Sequence, residues 1–323
     1  MTYEHIPVLY HEVLKVLDLQ ADDVVLDATC GGGGHSSGIL AQLGPNSGQL
    51  VCLDKDPAAR KASSERLTPI AEERGVPLHI LAGDFGNLDE ALAPLEPFKA
   101  NKIFADIGVS SPQIDDAARG FSYHEAGPLD MRMNPEQPWS CADLLATASQ
   151  KELKRIISNY GEERYAGRIA SMIVKRQKTN PFKDSLDLAE SIANAVPASA
   201  RRGKHPARRT FQALRIAVND ELGALERFLT ASLDRLEEGG IVAVISFHSL
   251  EDRIVKQTFR KWEDPCECPR NLPCVCGLKP YGKILKRRGW VATDEEAERN
   301  PRSRSARLRA FQKGGTHHGE SEA

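Results

Sequence analysis

A doubly wound, mostly parallel α/β sheet interrupted by an all-helical insertion is the fold class this sequence predicts, and three observations predict it. Short apolar runs alternate with helical stretches between residues 24 and 106. Four consecutive glycines, Gly31 to Gly34, follow the first of those runs. The alternation then stops after Pro112 and resumes only near Gly240, with helical periodicity alone in between.

The chain of 323 residues, 41% hydrophobic, can bury one large core or two smaller ones. Its longest apolar run, Ile241–Ile245, is far too short to cross a bilayer. Met1–His5 lacks the basic and apolar regions of a signal peptide. Seven cysteines, an odd number in so long a chain, do not read as a disulfide framework. A cytoplasmic protein with no membrane partner is expected.

In order, His5–Leu17 reads as a short helix leaning on the core through Val8, Leu9, Val13, Leu14 and Leu17. The first strand is Val24–Asp27, and after the glycines Ser36–Leu43 opens a helix. The second strand, Gln49–Asp54, is followed by a helix over Pro57–Arg74, with Pro57 suited to its first turn. The third, Leu78–Ala82, runs into Gly83-Asp84-Phe85, and the fourth, Lys102–Ala105, into Asp106-Ile107-Gly108. Ala142–Tyr160, Arg164–Lys178 and Ser185–Ala195 read as amphipathic helices, the last with Ser185 as its cap. A helix over Thr210–Glu237 leads to a fifth strand, Gly240–Phe247, and two more strands fall within Lys283–Val291 and Ser305–Gln312. The domain division is therefore 1–114 and 211–313 for the sheet, 115–210 for the insertion, and 314–323 for a disordered tail.

A strand, a glycine-rich turn and a helix let a small ligand lie against bare backbone, where any Cβ would obstruct it. Four glycines in a row cost too much backbone entropy to be an empty turn. Asp27, Asp54, Asp84 and Asp106 each stand just past the carboxyl end of a predicted strand, the edge where open α/β sheets bind ligands. Four carboxylates would repel a pyrophosphate, and Ser36 and Ser37 break any G-x-G-x-x-G spacing. An acidic bay suits a cationic cofactor without phosphates, and S-adenosylmethionine fits. Asp54, 20 residues beyond Gly34, is placed to take both ribose hydroxyls, and Phe85 offers a face to the adenine.

Charge is uneven along the chain. Residues 201–215 carry six Arg or Lys and no acid, and residues 283–313 carry ten basic residues against four acidic ones. One basic run is usually a solvated face, but two alongside an acidic cofactor site are better explained by a polyanion whose phosphates they hold. Sparse aromatics and abundant Pro and Gly fit shape-based RNA binding better than a major-groove reading helix.

These residues carry a resemblance. The chain resembles the bacterial small-subunit ribosomal RNA cytosine-N4 methyltransferases, the MraW-like family, in His5–Leu9, Asp27–Ser36, Asp106–Gln113, Arg119–Ser122 and Gly127–Met133. It does so again in His205–Leu222, Ser246–Arg253 and Asn300–Ser305, so that the match spans nearly all of the chain to residue 313. One departure, Asn134 where the family often has aspartate, bears only on that loop's charge. The resemblance implies an S-adenosylmethionine-dependent methyltransferase fold and methyl transfer to the exocyclic N4 of a cytidine in the decoding region of 16S ribosomal RNA. It implies cofactor contacts at Gly33, Gly34, His35, Asp54, Phe85, Asp106 and Gln113. Gly33, Gly34, Asp54 and Phe85 also follow from spacing and charge, and Asp106 follows as part of the acidic edge.

Cytosine N4 is conjugated with its ring, so the protein must align it with the methyl group and accept hydrogen bonds from the amine. The base must also leave its stack. Asp106 is a candidate beside the amine or the cofactor's own amino group, and no catalytic residue is assigned outright. His248, just past the fifth strand, is either a substrate contact or a histidine satisfied by backbone, and Arg209 and Gln212 are expected to touch RNA. The partner is ribosomal RNA or the small subunit, with monomer and homodimer both open. Two other functions compete: a methyltransferase acting on DNA or protein amines, and a non-catalytic RNA-binding assembly factor. Asp106-Ile107-Gly108-Val109 lacks the Pro-Pro-aromatic signature usual in DNA N4 enzymes, and an assembly factor has no need of an acidic edge.

Cys266, Cys268, Cys274 and Cys276 fall within eleven residues. Their Cys-x-Cys spacing differs from the usual two-residue knuckle, so no metal site is assigned, and reduced thiols in a Pro-rich loop compete with a tetrahedral zinc site. Cys30, Cys52 and Cys141 read as small core residues.

Overall fold

A computed structural model describes residues 7–201, 203, 205–269, 271 and 275–314. The chain forms two units by contact: residues 1–108 with 222–323, and Val109–Glu221. His5 and Ile6 of the expected first helix, Cys274, and the tail from 315 on lie outside the described residues.

The first unit is built on a seven-stranded sheet: β1 (Val24–Asp27), β2 (Gln49–Asp54), β3 (Leu78–Ala82), β4 (Ala100–Asp106), β5 (Leu236–Ser246), β6 (Gly282–Ile284) and β7 (Arg307–Lys313). Its order is β3-β2-β1-β4-β5-β7-β6. β1 to β5 pair in parallel, and β7 runs antiparallel to both β5 and β6. The parallel strands are the near-continuous apolar runs that burial on both faces demands. Val25, Leu26, Leu50, Val51 and Ile103 have no exposure. Two apolar clusters cover the faces, one centred on Phe104, Leu40 and Leu308, the other on Phe228, Phe259 and Phe311. Asp27 pairs in register with Cys52 and Phe104, Asp54 with Ala82, and Asp106 with Ile245. The parallel register therefore puts the ends of these strands along one edge.

The flanking helix Pro57–Arg74 has the expected bounds: Asp56 caps it by accepting from the Ala58 N–H, and Gly75 ends it in the left-handed region. The expected helix at 36–43 instead begins at Gly34 and ends at Leu40, and the first helix is Tyr10–Leu17.

The second unit is helical, packed on Leu153, Ile157, Ile169, Ile173, Leu188 and Leu214. Ala142–Tyr160 is not one helix but two, Cys141–Thr147 and Gln150–Gly161. Ser149 restarts the chain by capping Glu152, a capping signal that unbroken apolar periodicity hides. The helix Ser185–Ala195 is capped by Asp184, not Ser185, whose hydroxyl donates to the Glu125 carbonyl. The helix expected over Thr210–Glu237 is likewise two, Arg208–Asn219 and Glu221–Arg235, divided at left-handed Asp220. Aspartate tolerates that conformation better than most residues, so a single residue turns the chain without interrupting the hydrophobic pattern.

Candidate active site

The loop after β1 holds the glycines for two different reasons. At Gly33 the backbone has φ +77°, and a Cβ would stand 3.1 Å from Leu67; at Gly34 it would stand 2.5 Å from Pro7. Gly33 is thus required by its left-handed backbone and Gly34 by packing on Pro7, demands of the fold that come in addition to any ligand's. Gly32 is the opposite case: it is exposed, and nothing lies within 4 Å of where its Cβ would be. The backbone at Gly32 is therefore the part of the loop left open for close approach.

Asp54 ties this loop to the end of β2. Its Oδ2 accepts from the Gly31 N–H at 2.9 Å and its Oδ1 from the Asp56 N–H at 2.8 Å. A carboxylate has about four lone-pair directions, so one remains on each oxygen for an incoming diol. Burial raises the Asp54 pKa, and the two backbone donors oppose that rise. Beside it, Asp84 accepts from the Gly86 N–H at 2.8 Å and pairs with Lys55 at 3.1 Å. This fixes the short turn Phe85–Asn87, and the half-buried Phe85 ring meets Phe228 edge-on at 5.4 Å.

Asp27 does not line the edge, contrary to expectation. It is wholly buried, accepts from Ser36 Oγ at 2.5 Å and from the Thr29 N–H at 3.3 Å, and burial pushes its pKa up to about 6. It staples β1 to the helix Gly34–Leu40.

Asp106, at the end of β4, accepts no hydrogen bond at Oδ1 among the described residues, although that atom is buried. Burial, then the charges of Asp27 and Glu251, push its pKa up to about 8. Its backbone N–H donates to Thr29 Oγ1 at 2.6 Å, a support that no sequence signal marked. His35 contributes its imidazole from below: Nε2 lies 3.0 Å from the Val8 carbonyl, Nδ1 3.7 Å from Asp106 Oδ2, and the ring packs on Tyr10 and Phe104. Its side chain is buried, so at this position the backbone is what the loop presents.

His248 is the N-cap of the helix Ser249–Glu263: Nδ1 accepts from the Glu251 N–H at 3.4 Å, and Nε2 is 3.1 Å from Glu251 Oε1. Buried Glu251 accepts in return from the N–H groups of Phe247 and His248. Backbone thus satisfies Nδ1 of His248, whereas Nε2 is buried with no hydrogen-bond partner among the described residues, and its contact with substrate stays a proposal. The His248-x-x-Glu251 spacing is a capping-box signal that sequence reasoning passed over.

In the helical unit, Gln113 closes a capping box with Ser110, accepting from the Ser110 N–H at 3.0 Å. Gln212 donates to the Tyr160 carbonyl at 3.1 Å, holding its helix on the neighbouring one. Arg208 and Arg209 project from the same helix into solvent. Arg215 is committed to Glu221 through two 2.7 Å bonds. Arg202 and Lys204 lie outside the described residues. Tyr123 stacks on His205 at 5.0 Å and meets Phe211 edge-on. The second basic run is also partly spent internally, since Arg309 pairs with Asp252 at 2.6 Å and Arg287 with Glu263 at 2.8 Å.

The sheet's carboxyl edge offers bare amide backbone at Gly32 and a hydroxyl-accepting carboxylate at Asp54, with Lys55 already engaged by Asp84, which is the provision of a site for a nucleoside-bearing cofactor. The chain belongs to the MraW methylase family, whose model matches residues 2–314. A protein of Carboxydothermus hydrogenoformans is 47% identical over 314 residues, covering 97% of this chain and 99% of its own. One of Geobacter sulfurreducens is 49% identical over 316 residues, covering 97% and 100%. Both bear the name ribosomal RNA small subunit methyltransferase H. A solved rRNA methylase from Streptococcus thermophilus aligns over 94% of this chain and 93% of its own, at 10% identity and TM-score 0.39. S-adenosylmethionine is the cofactor of this methylase, and the open backbone at Gly32, the spare lone pairs of Asp54 and the orphaned Oδ1 of Asp106 fit it. Among the described residues no helix is long and apolar enough to cross a membrane.

Proposed function

We propose that this chain methylates the exocyclic N4 of a cytidine in the decoding region of 16S ribosomal RNA. The observation that carries this reading is that relatives named for small-subunit rRNA methylation match the sheet unit and the helical unit alike, at 44–49% identity. The choice of base and atom rests on the resemblance of Asp106–Gln113 and Ser246–Arg253 to cytosine-N4 enzymes.

Bound in this site, the donor supplies a methyl group already activated on a sulfonium. Asp54 would accept from the ribose hydroxyls, Phe85 would offer its ring to the adenine, the backbone at Gly32–His35 would leave room for the donor's close approach, and Asp106 would accept from the amino group. Accepting from a charged amine requires Asp106 to give up the proton that burial makes it hold below about pH 8. N4 would gain the methyl carbon as the sulfonium–methyl bond breaks, the donor leaving as a neutral thioether and N4 then losing one proton to solvent; no covalent link between chain and base is needed. The chain's contribution is alignment of the acceptor with the methyl group. Arg208 and Arg209 hold phosphates, and Gln212 keeps their helix in place.

Transfer of labelled methyl to small ribosomal subunits, free 16S RNA and duplex DNA, followed by nucleoside analysis, tests this. N4-methylcytidine in ribosomal RNA is expected. Label in DNA, in protein or on another nucleoside overturns it, and donor binding without any transfer favours an assembly factor.

A further inference from the structure

The helix Ser249–Glu263 enters from the sheet's carboxyl edge, so its far end lies at the opposite edge, where β6 begins. Between them, residues 264–281 hold no helix or strand among those described. A stretch of that length without secondary structure is uncommon in a compact unit and calls for something to hold it. Apolar packing does not: Val275 is 88% exposed, and Leu278 and Tyr281 are about half exposed. The ends are tied, by the Tyr281 N–H donating to the Trp262 carbonyl at 2.8 Å and the Ile284 N–H to Glu263 Oε1 at 3.0 Å. The middle holds three sulfurs. The ligand atoms of Cys266, Cys268 and Cys276 all lie within 4.8 Å of one another.

Distance distinguishes the roles three clustered thiols can have. Cys266 Sγ and Cys276 Sγ are 3.7 Å apart, well beyond the ~2.05 Å of a disulfide bond. Two thiolates on one tetrahedral zinc, each ~2.3 Å from the metal, stand ~3.8 Å apart by geometry. The spacing that argued against a knuckle in the sequence is thus answered in space: Cys276 folds back onto the Cys-x-Cys pair.

We infer that Cys266, Cys268 and Cys276 form a structural site for a soft divalent ion, zinc in the cell, that staples this loop. Each thiol releases its proton to solvent as the metal binds, leaving three thiolates on the ion and a fourth position to complete the tetrahedron. Thiolate sulfur selects zinc over magnesium or calcium, which prefer oxygen. The site lies at the edge away from Asp54 and Asp106, so it supports the loop and takes no part in methyl transfer. Cys274 falls outside the described residues and is no part of the site as inferred.

The full-length protein, purified without chelator, is assayed for zinc by mass spectrometry of the metal, and the zinc is then exchanged for cobalt. About one zinc per chain is expected, and the cobalt form should show sulfur-to-cobalt charge-transfer absorption with the intense visible bands of a tetrahedral ion. Cys266→Ser with Cys276→Ser should lose both signals while donor binding stays within twofold of wild type. Failure of the double variant to fold leaves the wild-type cobalt spectrum as the deciding measurement. Zinc far below one per chain with no thiolate band, metal content unchanged in the folded variant, or an intact mass showing these thiols oxidised would overturn the inference.

Discussion

Nδ1 of His35 stands 3.7 Å from Oδ2 of Asp106, the acid whose pKa burial pushes up to about 8. With Nε2 directed at the Val8 carbonyl, which can only accept, a neutral imidazole turns its lone pair toward Asp106. Burial that raises Asp106 in this way makes the edge less a ring of fixed negative charge than four aspartates suggest.

Donor affinity should accordingly depend on pH. The Asp106 proton, held up to about pH 8, must leave before the carboxylate can pair with the amino group. Affinity should rise by up to about tenfold per pH unit from pH 6 toward 8 and then level off. Calorimetry in buffers of different ionisation enthalpy should detect proton release at pH 7. An affinity flat across this range would exclude the role.

Asp106→Asn should separate function from stability. A carboxyl whose folded pKa is raised from 3.8 to about 8 stabilises the fold fully below the lower value and loses that contribution as pH climbs through the higher one. The amide has no such dependence. Ligand-free Asp106→Asn should therefore melt above wild type at pH 8.5, by a margin that shrinks toward pH 5, while methyl transfer falls at least a hundredfold (~2.7 kcal/mol). Melting curves at the two pH values decide it.

Gly32→Ala and Gly34→Ala should behave oppositely. A Cβ at Gly32 meets open space, so stability should stay within about 0.5 kcal/mol while donor affinity drops about tenfold. A Cβ at Gly34 would sit 2.5 Å from Pro7, so that variant should unfold earlier by about 1–3 kcal/mol. Denaturant titration and equilibrium binding on the pair separate the two effects.

Asp54→Ala removes the acceptor for the Gly31 N–H as well as for the ribose. Hydrogen bonds to a charged group are worth roughly 1.5–3 kcal/mol, which predicts a ten- to hundredfold loss of donor affinity. An adenosine analogue lacking the 2′-hydroxyl should lose affinity on wild type and little more on the variant.

Arg208→Ala with Arg209→Ala should weaken binding to ribosomal RNA without changing donor affinity. If each arginine neutralises one phosphate of single-stranded RNA, the slope of log affinity against log salt should flatten by about 1.4 for the pair. An unchanged slope would place the RNA contact elsewhere on the chain.

Sequence by itself determined the parallel sheet, because strands buried on both faces must be continuous apolar runs and each ends in a recognisable turn. It also located Asp54 and Asp106, since the carboxyl ends of parallel strands share one edge whatever the flanking helices do. Tertiary structure alone decided which of those acids keeps an oxygen without a partner among the described residues. Asp27 and Asp106 have the same place after a strand, yet Ser36 reaches across to bury the first, while the second keeps an unsatisfied oxygen. The same holds for Gly32 and Gly34, identical in sequence and opposite in what a side chain would meet, and for Cys276, ten residues from Cys266 along the chain and 3.7 Å from it in space. Periodicity and spacing report what a segment does with its own neighbours; burial, proton affinity and metal geometry depend on groups that only folding brings near.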